Sequence, residues 1–104
     1  MRIEKTDFKD LLIINHKLCL DDRGYFKEKL KIKELEEFLG YQINFCQENC
    51  VRSKLNVLRG LHFQKDSYAQ SKLISISIGK ILDIAVDIRR DSNTYGKYFS
   101  HILC

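Results

Sequence analysis

The sequence predicts a mainly β fold, an antiparallel barrel or jelly roll with one short helix. Three observations indicate this class. Apolar and polar residues alternate with the period of two typical of strands over several segments after residue 43. The five glycines stand singly between apolar runs, as turn residues do, and proline is absent. Only 31–39 repeats its apolar residues with the period of a helix. At 104 residues the chain is expected to form a single domain, 1–104.

The first half of the chain is predicted to contain β structure followed by the helix. Residues 8–20 are a β-rich apolar stretch, and the sequence DDRG at 21–24 is a turn signal. The helix is predicted over 31–39, and Gly40 is expected to end it. Its apolar residues share one helical face: Ile32, Leu35, Phe38 and Leu39.

The second half is predicted to be strands. Residues 43–50 alternate as one strand, with Gln47 and Asn49 on the same face. Residues 72–78 and 81–88 also alternate, and the Gly79-Lys80 pair between them predicts a β-hairpin. The last residues, 98–104, look like a further strand, inside which the sequence stops.

Charge and composition favour a soluble protein of the cytoplasm. The net charge of +4 suits an anionic ligand such as a phosphate, but the chain has no aromatic and basic patch typical of nucleic-acid binding. No apolar run reaches the roughly 18 residues of a membrane span, and the first residues lack the pattern of a signal peptide. The four cysteines are therefore expected to be reduced thiols: Cys19, Cys46, Cys50 and Cys104.

The segment RGLHFQ at 59–64 is the first candidate for chemistry. It combines an arginine, which can hold a phosphate through two hydrogen bonds, with a histidine, which exchanges a proton near neutral pH. Taken alone, the segment is a weak signal, and a structural histidine beside a surface arginine is its plainer explanation.

Several segments together resemble the successive motifs of the dTDP-4-dehydrorhamnose 3,5-epimerase family, in order and spacing, across nearly the whole chain. They are DDRGYFKE at 21–28, QEN at 47–49, VLRGLHFQ at 57–64, QSKL at 70–73, DIAVDIRR at 83–90 and TYGK at 94–97. The resemblance implies a cupin-type jelly roll (a double-stranded β-helix) that needs no cofactor. It also implies a homodimer in which N-terminal strands contribute to the partner's site.

The resemblance implies an activity as well. The family acts in nucleotide-sugar biosynthesis of the dTDP-L-rhamnose type, which serves lipopolysaccharide and O-antigen biosynthesis. It inverts C3, C5 or both in a 4-keto-6-deoxy sugar carried on a nucleoside diphosphate. His62 matches the family's base, and Lys72 matches the cation beside the enolate oxygen. Arg23 and Arg59 match its contacts to the diphosphate. Its polar contacts to the substrate are matched by Glu28, Gln47 and Asn49.

Asp83 is a candidate partner for Lys72 or His62, because it alternates with apolar residues in its predicted strand. Three of the other assignments have plainer alternatives. Arg23 could belong to a solvated turn pair, Lys72 could be an exposed strand end, and Glu28 could be surface charge.

A metal site is not predicted. Many cupins hold a metal through two histidines spaced by one residue, whereas the segment at 62–64 has one histidine. Cys46 and Cys50 lack a second pair of zinc ligands.

The chain corresponds to the N-terminal part of the family's jelly roll. The family's tyrosine acid, and the aspartate that orients its base, are expected beyond residue 104. Two functions are therefore open. The chain is an epimerase whose remainder lies outside this sequence or comes from a second chain. Alternatively, it is a catalytically incomplete cupin that only binds nucleotide sugar or serves as a dimerising module.

Overall fold

The computed structural model describes the backbone of all 104 residues and every side chain except that of Asp66. Its elements, in chain order, are β1 (Arg2–Lys5), β2 (Leu12–Asn15), β3 (Leu18–Asp21), β4 (Gly24–Lys27), α1 (Ile32–Leu39), a 3-10 turn (Asp66–Tyr68), β5 (Ile81–Val86) and β6 (Tyr98–Leu103). The predicted class, mainly β with one short helix, is confirmed.

The backbone contacts divide the chain into two compact units. Unit 1 comprises Met1–Cys46 and Val86–Lys97, and unit 2 comprises Gln47–Ala85 and Tyr98–Cys104. A single domain over 1–104 stays a prediction. No helix of the described chain is long and apolar enough to cross a bilayer.

Two antiparallel hairpins form the strands of unit 1: β1 pairs with β2, and β3 pairs with β4. The apolar stretch 8–20 supplies β2 and most of β3, as the sequence predicts. Asp21 lies opposite Gly24, so that the second hairpin turns on two residues, Asp22 and Arg23. The φ of Gly24 is +130°, a backbone conformation that side chains with a Cβ rarely adopt. The turn predicted at 21–24 is confirmed.

Helix α1 begins one residue later than predicted, because Lys31 keeps an extended backbone and is the N-cap. The helix ends at the predicted residue. Gly40 adopts the left-handed conformation with φ of +79°, and its N–H donates to the carbonyl oxygen of Glu36 at 2.8 Å. Leu35, at the centre of the apolar face, is 5% exposed and is the one buried apolar residue among the described side chains. The core of unit 1 is therefore shallow and centred on this helix.

Unit 2 contains one two-stranded sheet, in which β5 hydrogen-bonds to β6. The strand predicted at 98–104 is confirmed, and the strand predicted at 81–88 ends two residues early. The hairpin predicted between 72–78 and 81–88 is wrong, and so is the strand predicted at 43–50, because the structure assigns no strand to 43–50 or 72–78.

The physical reason lies in what an alternating pattern specifies. It determines which side chains share a face, but a strand also needs a neighbouring backbone to supply hydrogen-bonding groups. The partner of β5 is β6, so the described chain supplies no partner to 72–78.

Candidate functional site

Most of the predicted site residues lie in unit 2, outside its sheet. Gln47, Asn49, Arg59, His62 and Lys72 belong to the long connection before β5. Asp83 is the third residue of β5, and the remaining two predicted residues, Arg23 and Glu28, lie in unit 1.

Gly60 shapes the connection between the candidate phosphate ligand and the candidate base. Its φ is +106°, and a Cβ built on it would lie 3.6 Å from the ring atom Cδ2 of His62. Glycine therefore lets the chain turn between the arginine and the histidine without the strain that an L side chain would add. On the other side of the turn, Arg59 Nε donates to Ser53 Oγ at 3.0 Å. This hydrogen bond orients the guanidinium and uses one of its five N–H donors.

His62 and Lys72 are both exposed. Among the described side chains, neither makes a hydrogen bond or an ion pair with the other or with any further residue. An imidazole and an ammonium in this state are open to an added ligand. The imidazole, however, has no carboxylate to set its tautomer and raise its basicity.

Asp83 does not make the predicted contact. It is half-buried in β5, and it pairs with neither Lys72 nor His62 among the described side chains. The reason is the missing strand: Lys72 belongs to a segment with no ladder to β5, so nothing brings its ammonium opposite this carboxylate. A supporting role for Asp83 stays a prediction.

Gln47 and Asn49 lie side by side, as their spacing predicts. Gln47 Nε2 donates to Asn49 Oδ1 at 3.0 Å, and both side chains are exposed. The shared face is thus confirmed even though no strand forms there. Together the two amides present both donors and acceptors, which suits the hydroxyls of a sugar or the edge of a nucleobase.

Arg23 is held by Asp21 within the second hairpin of unit 1. The carboxylate accepts the backbone N–H of Arg23 at 2.9 Å, Nη2 at 2.6 Å and Nε at 3.3 Å. The side-chain hydrogen bond to Arg23 is the main cause that lowers the pKa of Asp21, and the same bond raises the pKa of Arg23. The arginine side chain is 89% exposed, so its Nη1 group stays accessible for an anion.

Glu28 lies at the start of the helix and shares a lysine with the first turn. Lys31 Nζ is 3.0 Å from a carboxylate oxygen of Glu28 and 3.0 Å from one of Glu34. The hydrogen bonds to Glu34 and then Glu28 raise the pKa of Lys31. The structure thus places Glu28 in an ion pair on the protein itself, so a contact with substrate has to compete with this lysine.

The most extensive polar cluster of unit 1 surrounds Asp87, which the sequence analysis did not single out. Its side chain is 1% exposed. It accepts three hydrogen bonds from Arg89 at 2.9–3.0 Å, and one each at 2.6 Å from the hydroxyls of Ser92 and Thr94. These hydrogen bonds hold the pKa of Asp87 far below its ordinary value, and the bonds from Arg89 have the largest effect. Arg89 also lies 3.5 Å from the carboxylate of Asp10, which ties the 86–97 segment to the first strands of unit 1.

A local signal for this cluster exists in the sequence. The spacing Asp-x-Arg occurs at Asp21 and again at Asp87, and in both places the carboxylate caps the backbone N–H and the guanidinium two residues later. The side chain of Asp21 is 51% exposed, whereas that of Asp87 is 1% exposed. The spacing therefore predicts the turn, whereas burial depends on the two extra hydroxyl donors near Asp87.

A groove of about 270 Å³ lies in unit 1 between β1, β2 and α1. It is lined by Lys5, Thr6, Phe8, Lys9, Asp10, Leu12, Phe38 and Leu39. None of the predicted site residues is among them. Among the described side chains, no three of the types histidine, cysteine, aspartate and glutamate come together as a metal site would require.

Comparison with known proteins agrees with the motifs. The chain is 44% identical over 103 residues to the dTDP-4-dehydrorhamnose 3,5-epimerase of Escherichia coli, which covers 99% of this chain and 56% of that protein. The crystal structure of the enzyme of this name from Elizabethkingia anophelis superimposes with a TM-score of 0.90 at 45% identity, over 99% of this chain and 56% of that one. The Bacillus anthracis enzyme, solved with TDP and PPi bound, gives a TM-score of 0.87 at 40% identity, over 98% and 58%.

The chain thus follows the backbone of the N-terminal part of a cupin-type jelly roll, as the resemblance implied, and it spans about half the length of the curated relatives it matches. The family model for dTDP-4-dehydrorhamnose 3,5-epimerases matches residues 5–104. With the match covering nearly the whole chain, this protein belongs to the dTDP-4-dehydrorhamnose 3,5-epimerase family.

Proposed function

We propose that the protein is an epimerase of nucleotide-sugar biosynthesis that inverts C3, C5 or both in a dTDP-4-keto-6-deoxy sugar. One observation carries the proposal: the family match runs unbroken over residues 5–104 and contains every candidate site residue. The relative from Bacillus anthracis, with TDP and PPi bound, supports a nucleotide ligand of this kind. A homodimer and a cytoplasmic location stay predictions.

The proposed chemistry is proton abstraction next to a ketone. His62 removes the proton from C3 or C5, and the electron pair of the broken C–H bond moves onto the C4 oxygen to form an enolate. Lys72 donates a hydrogen bond to that oxygen, which carries more charge in the transition state than in the ground state. Return of a proton to the opposite face of the same carbon inverts the centre.

The proposed binding contacts fall into two groups. Arg59 and Arg23 bind the diphosphate, and the exposure of both guanidiniums supports this role. The hydrogen-bonded pair of Gln47 and Asn49 contacts the nucleotide or the sugar. Glu28 does so once its ion pair with Lys31 is broken.

The alternative, a cupin that binds nucleotide sugar without completing epimerisation, is favoured by a specific observation. His62 has no carboxylate partner among the described side chains, so none of these side chains orients the base. In this case the proton lost from carbon returns on the same face.

Deuterium exchange separates the two functions. The purified chain is incubated with the dTDP-4-keto-6-deoxy sugar in D₂O, and NMR follows both deuterium at C3 and C5 and the configuration there. If the chain is the epimerase, we expect inversion to accompany the entry of deuterium, whereas entry with retained configuration would support the alternative, because abstraction needs only the base and the lysine. His62→Asn should abolish exchange while nucleotide binding persists, and Lys72→Met should slow exchange by about 10²–10³-fold.

The chain offers matched controls. The ring of His16 is engaged at 2.7 Å with the carbonyl oxygen of Lys29, and Lys80 is exposed beside the turn before β5. His16→Asn and Lys80→Met should leave the exchange rate unchanged. Exchange that survives in His62→Asn would refute the assignment of the base. Nucleotide binding without any exchange in the wild-type chain would establish the binding function instead.

A further inference from the structure

The Asp-x-Arg turn of the second hairpin holds one edge of a guanidinium and leaves its end free. An arginine side chain has five N–H groups, one on Nε and two on each terminal nitrogen. In Arg23, the carboxylate of Asp21 accepts from Nε at 3.3 Å and from Nη2 at 2.6 Å, which lie along the same edge. The remaining N–H groups include one on each terminal nitrogen. These two point outward together, an arrangement that suits two oxygens of a phosphate.

The other Asp-x-Arg turn of unit 1 shows what such a free end contacts. Arg89 is held in the same way, because Asp87 accepts from its Nε and from its Nη2, both at 2.9 Å. The Nη1 group of Arg89 lies 3.5 Å from a carboxylate oxygen of Asp10. In one of its two occurrences, therefore, this arrangement brings Nη1 to an anionic oxygen. In the other, the described side chains give Arg23 no acidic partner besides Asp21.

The backbone beneath Arg23 is fixed by the same carboxylate. Asp21 Oδ1 accepts the backbone N–H of Arg23 at 2.9 Å, while the flanking strands pair from Leu18 opposite Lys27 to Asp21 opposite Gly24. A long exposed side chain loses rotamer freedom when it binds a ligand, and this loss weakens binding. Asp21 restricts that freedom before a ligand arrives, so less of it is lost on binding.

We propose that Asp21 is a positioning residue that directs the free end of Arg23 at a phosphoryl oxygen of the substrate's diphosphate. This inference rests on the proposed function, in which Arg23 binds the diphosphate. Asp21 itself does not touch the substrate. Its negative charge opposes the approach of an anion, so the benefit comes from orientation and outweighs an unfavourable charge. The two effects have opposite signs, and a matched pair of variants separates them.

The pair is Asp21→Asn and Asp22→Asn, compared with the wild-type chain by calorimetric titration with dTDP. Both changes remove one negative charge from the same turn, but Asp22 is exposed and makes no hydrogen bond or ion pair among the described side chains. Asparagine at 21 can still accept the backbone N–H, so the turn is kept, but its amide nitrogen cannot accept from the guanidinium. Asp21→Asn should weaken binding by about 3–10-fold, the effect of releasing one long side chain. Asp22→Asn should leave the Kd unchanged or lower it, because removing charge alone favours an anion.

A double-mutant cycle separates positioning from a general effect on the hairpin. In the Arg23→Ala background, Asp21→Asn should no longer change the Kd for dTDP, because the guanidinium that it orients is gone. A carboxylate that only stabilised the hairpin would weaken binding equally in both backgrounds. In the deuterium-exchange assay, Asp21→Asn should raise the ketosugar concentration for half-maximal exchange by about the same 3–10-fold and leave the rate at saturation unchanged.

The results distinguish this role from the proposed function. Equal Kd values for Asp21→Asn and the wild-type chain would overturn the positioning role, as would equal weakening by Asp21→Asn and Asp22→Asn, or weakening that persists in Arg23→Ala. Normal deuterium exchange together with any of these results would leave the proposed epimerase standing. A cycle that behaves as expected, without deuterium entering the sugar, would refute the epimerase and keep the positioning role. A wild-type chain that binds no dTDP would overturn both.

Discussion

Leu35→Ala is the substitution with the clearest expected effect on stability, and Ile32→Ala is its matched control. Both changes remove three carbon atoms from the apolar face of α1, and both leave alanine, the best helix former. At about 0.8 kcal/mol per buried carbon, the 5% exposure of Leu35 gives a loss of about 2.3 kcal/mol before any cavity term. The 45% exposure of Ile32 gives a smaller loss of about 1.3 kcal/mol, and the higher helix propensity of alanine offsets about 0.4 kcal/mol of it.

The expected difference of more than 1 kcal/mol is measured by urea unfolding, with the helix signal in circular dichroism as the probe. Leu35→Ala should shift the midpoint to lower urea by more than Ile32→Ala, with the slope unchanged for both variants. Equal midpoints for the two variants would refute the reasoning, because burial at position 35 would then contribute nothing beyond that at position 32.

Three further predictions concern the helix end, the buried carboxylate and the phosphate contact. Gly40→Ala should lower the free energy of unfolding by about 1–2 kcal/mol in urea. This cost comes from the backbone alone, since φ is +79° and nothing lies within 4 Å of an added Cβ. Gly40→Asn should cost less, and equal losses would contradict this account. The hydrogen bonds from Arg89, Ser92 and Thr94 hold the pKa of Asp87 below its ordinary 3.8, so the ionised carboxylate favours the folded state above that pH. The stabilisation should be lost as the pH falls below 3.8. Asp87→Asn should lower Tm at pH 7 by several degrees and remove this acid dependence in thermal melts. If Tm of the variant depended on pH as it does in the wild-type chain, Asp87 would not be the stabilising carboxylate. Arg59→Ala should weaken binding of dTDP by about 10–100-fold in calorimetry, whereas Ser53→Ala, which removes only the hydrogen bond that orients the guanidinium, should weaken it less; equal affinities for all three proteins would exclude the phosphate contact.

Local features of this protein were predictable from sequence because their causes are local. The turn at 21–24 depends on residues that hydrogen-bond within the turn, and helix α1 depends on an apolar face that ends at Gly40. The shared face of Gln47 and Asn49 follows from a two-residue spacing in extended backbone. The family itself was recognisable because its motifs combine residue types at spacings that no single structural requirement explains.

What only the tertiary structure decided is which segments find partners and which side chains lose contact with water. The same alternation occurs in 72–78 and in β5, yet only β5 forms a ladder, because the connection between β5 and β6 brings β6 beside it. Similarly, Asp21 and Asp87 share the Asp-x-Arg spacing, but only Asp87 is buried, since only there do two hydroxyls supply the donors that a carboxylate needs away from water. Backbone pairing and burial depend on groups distant in sequence, so a local pattern specifies the face that a residue occupies, and the folded chain determines what that face meets.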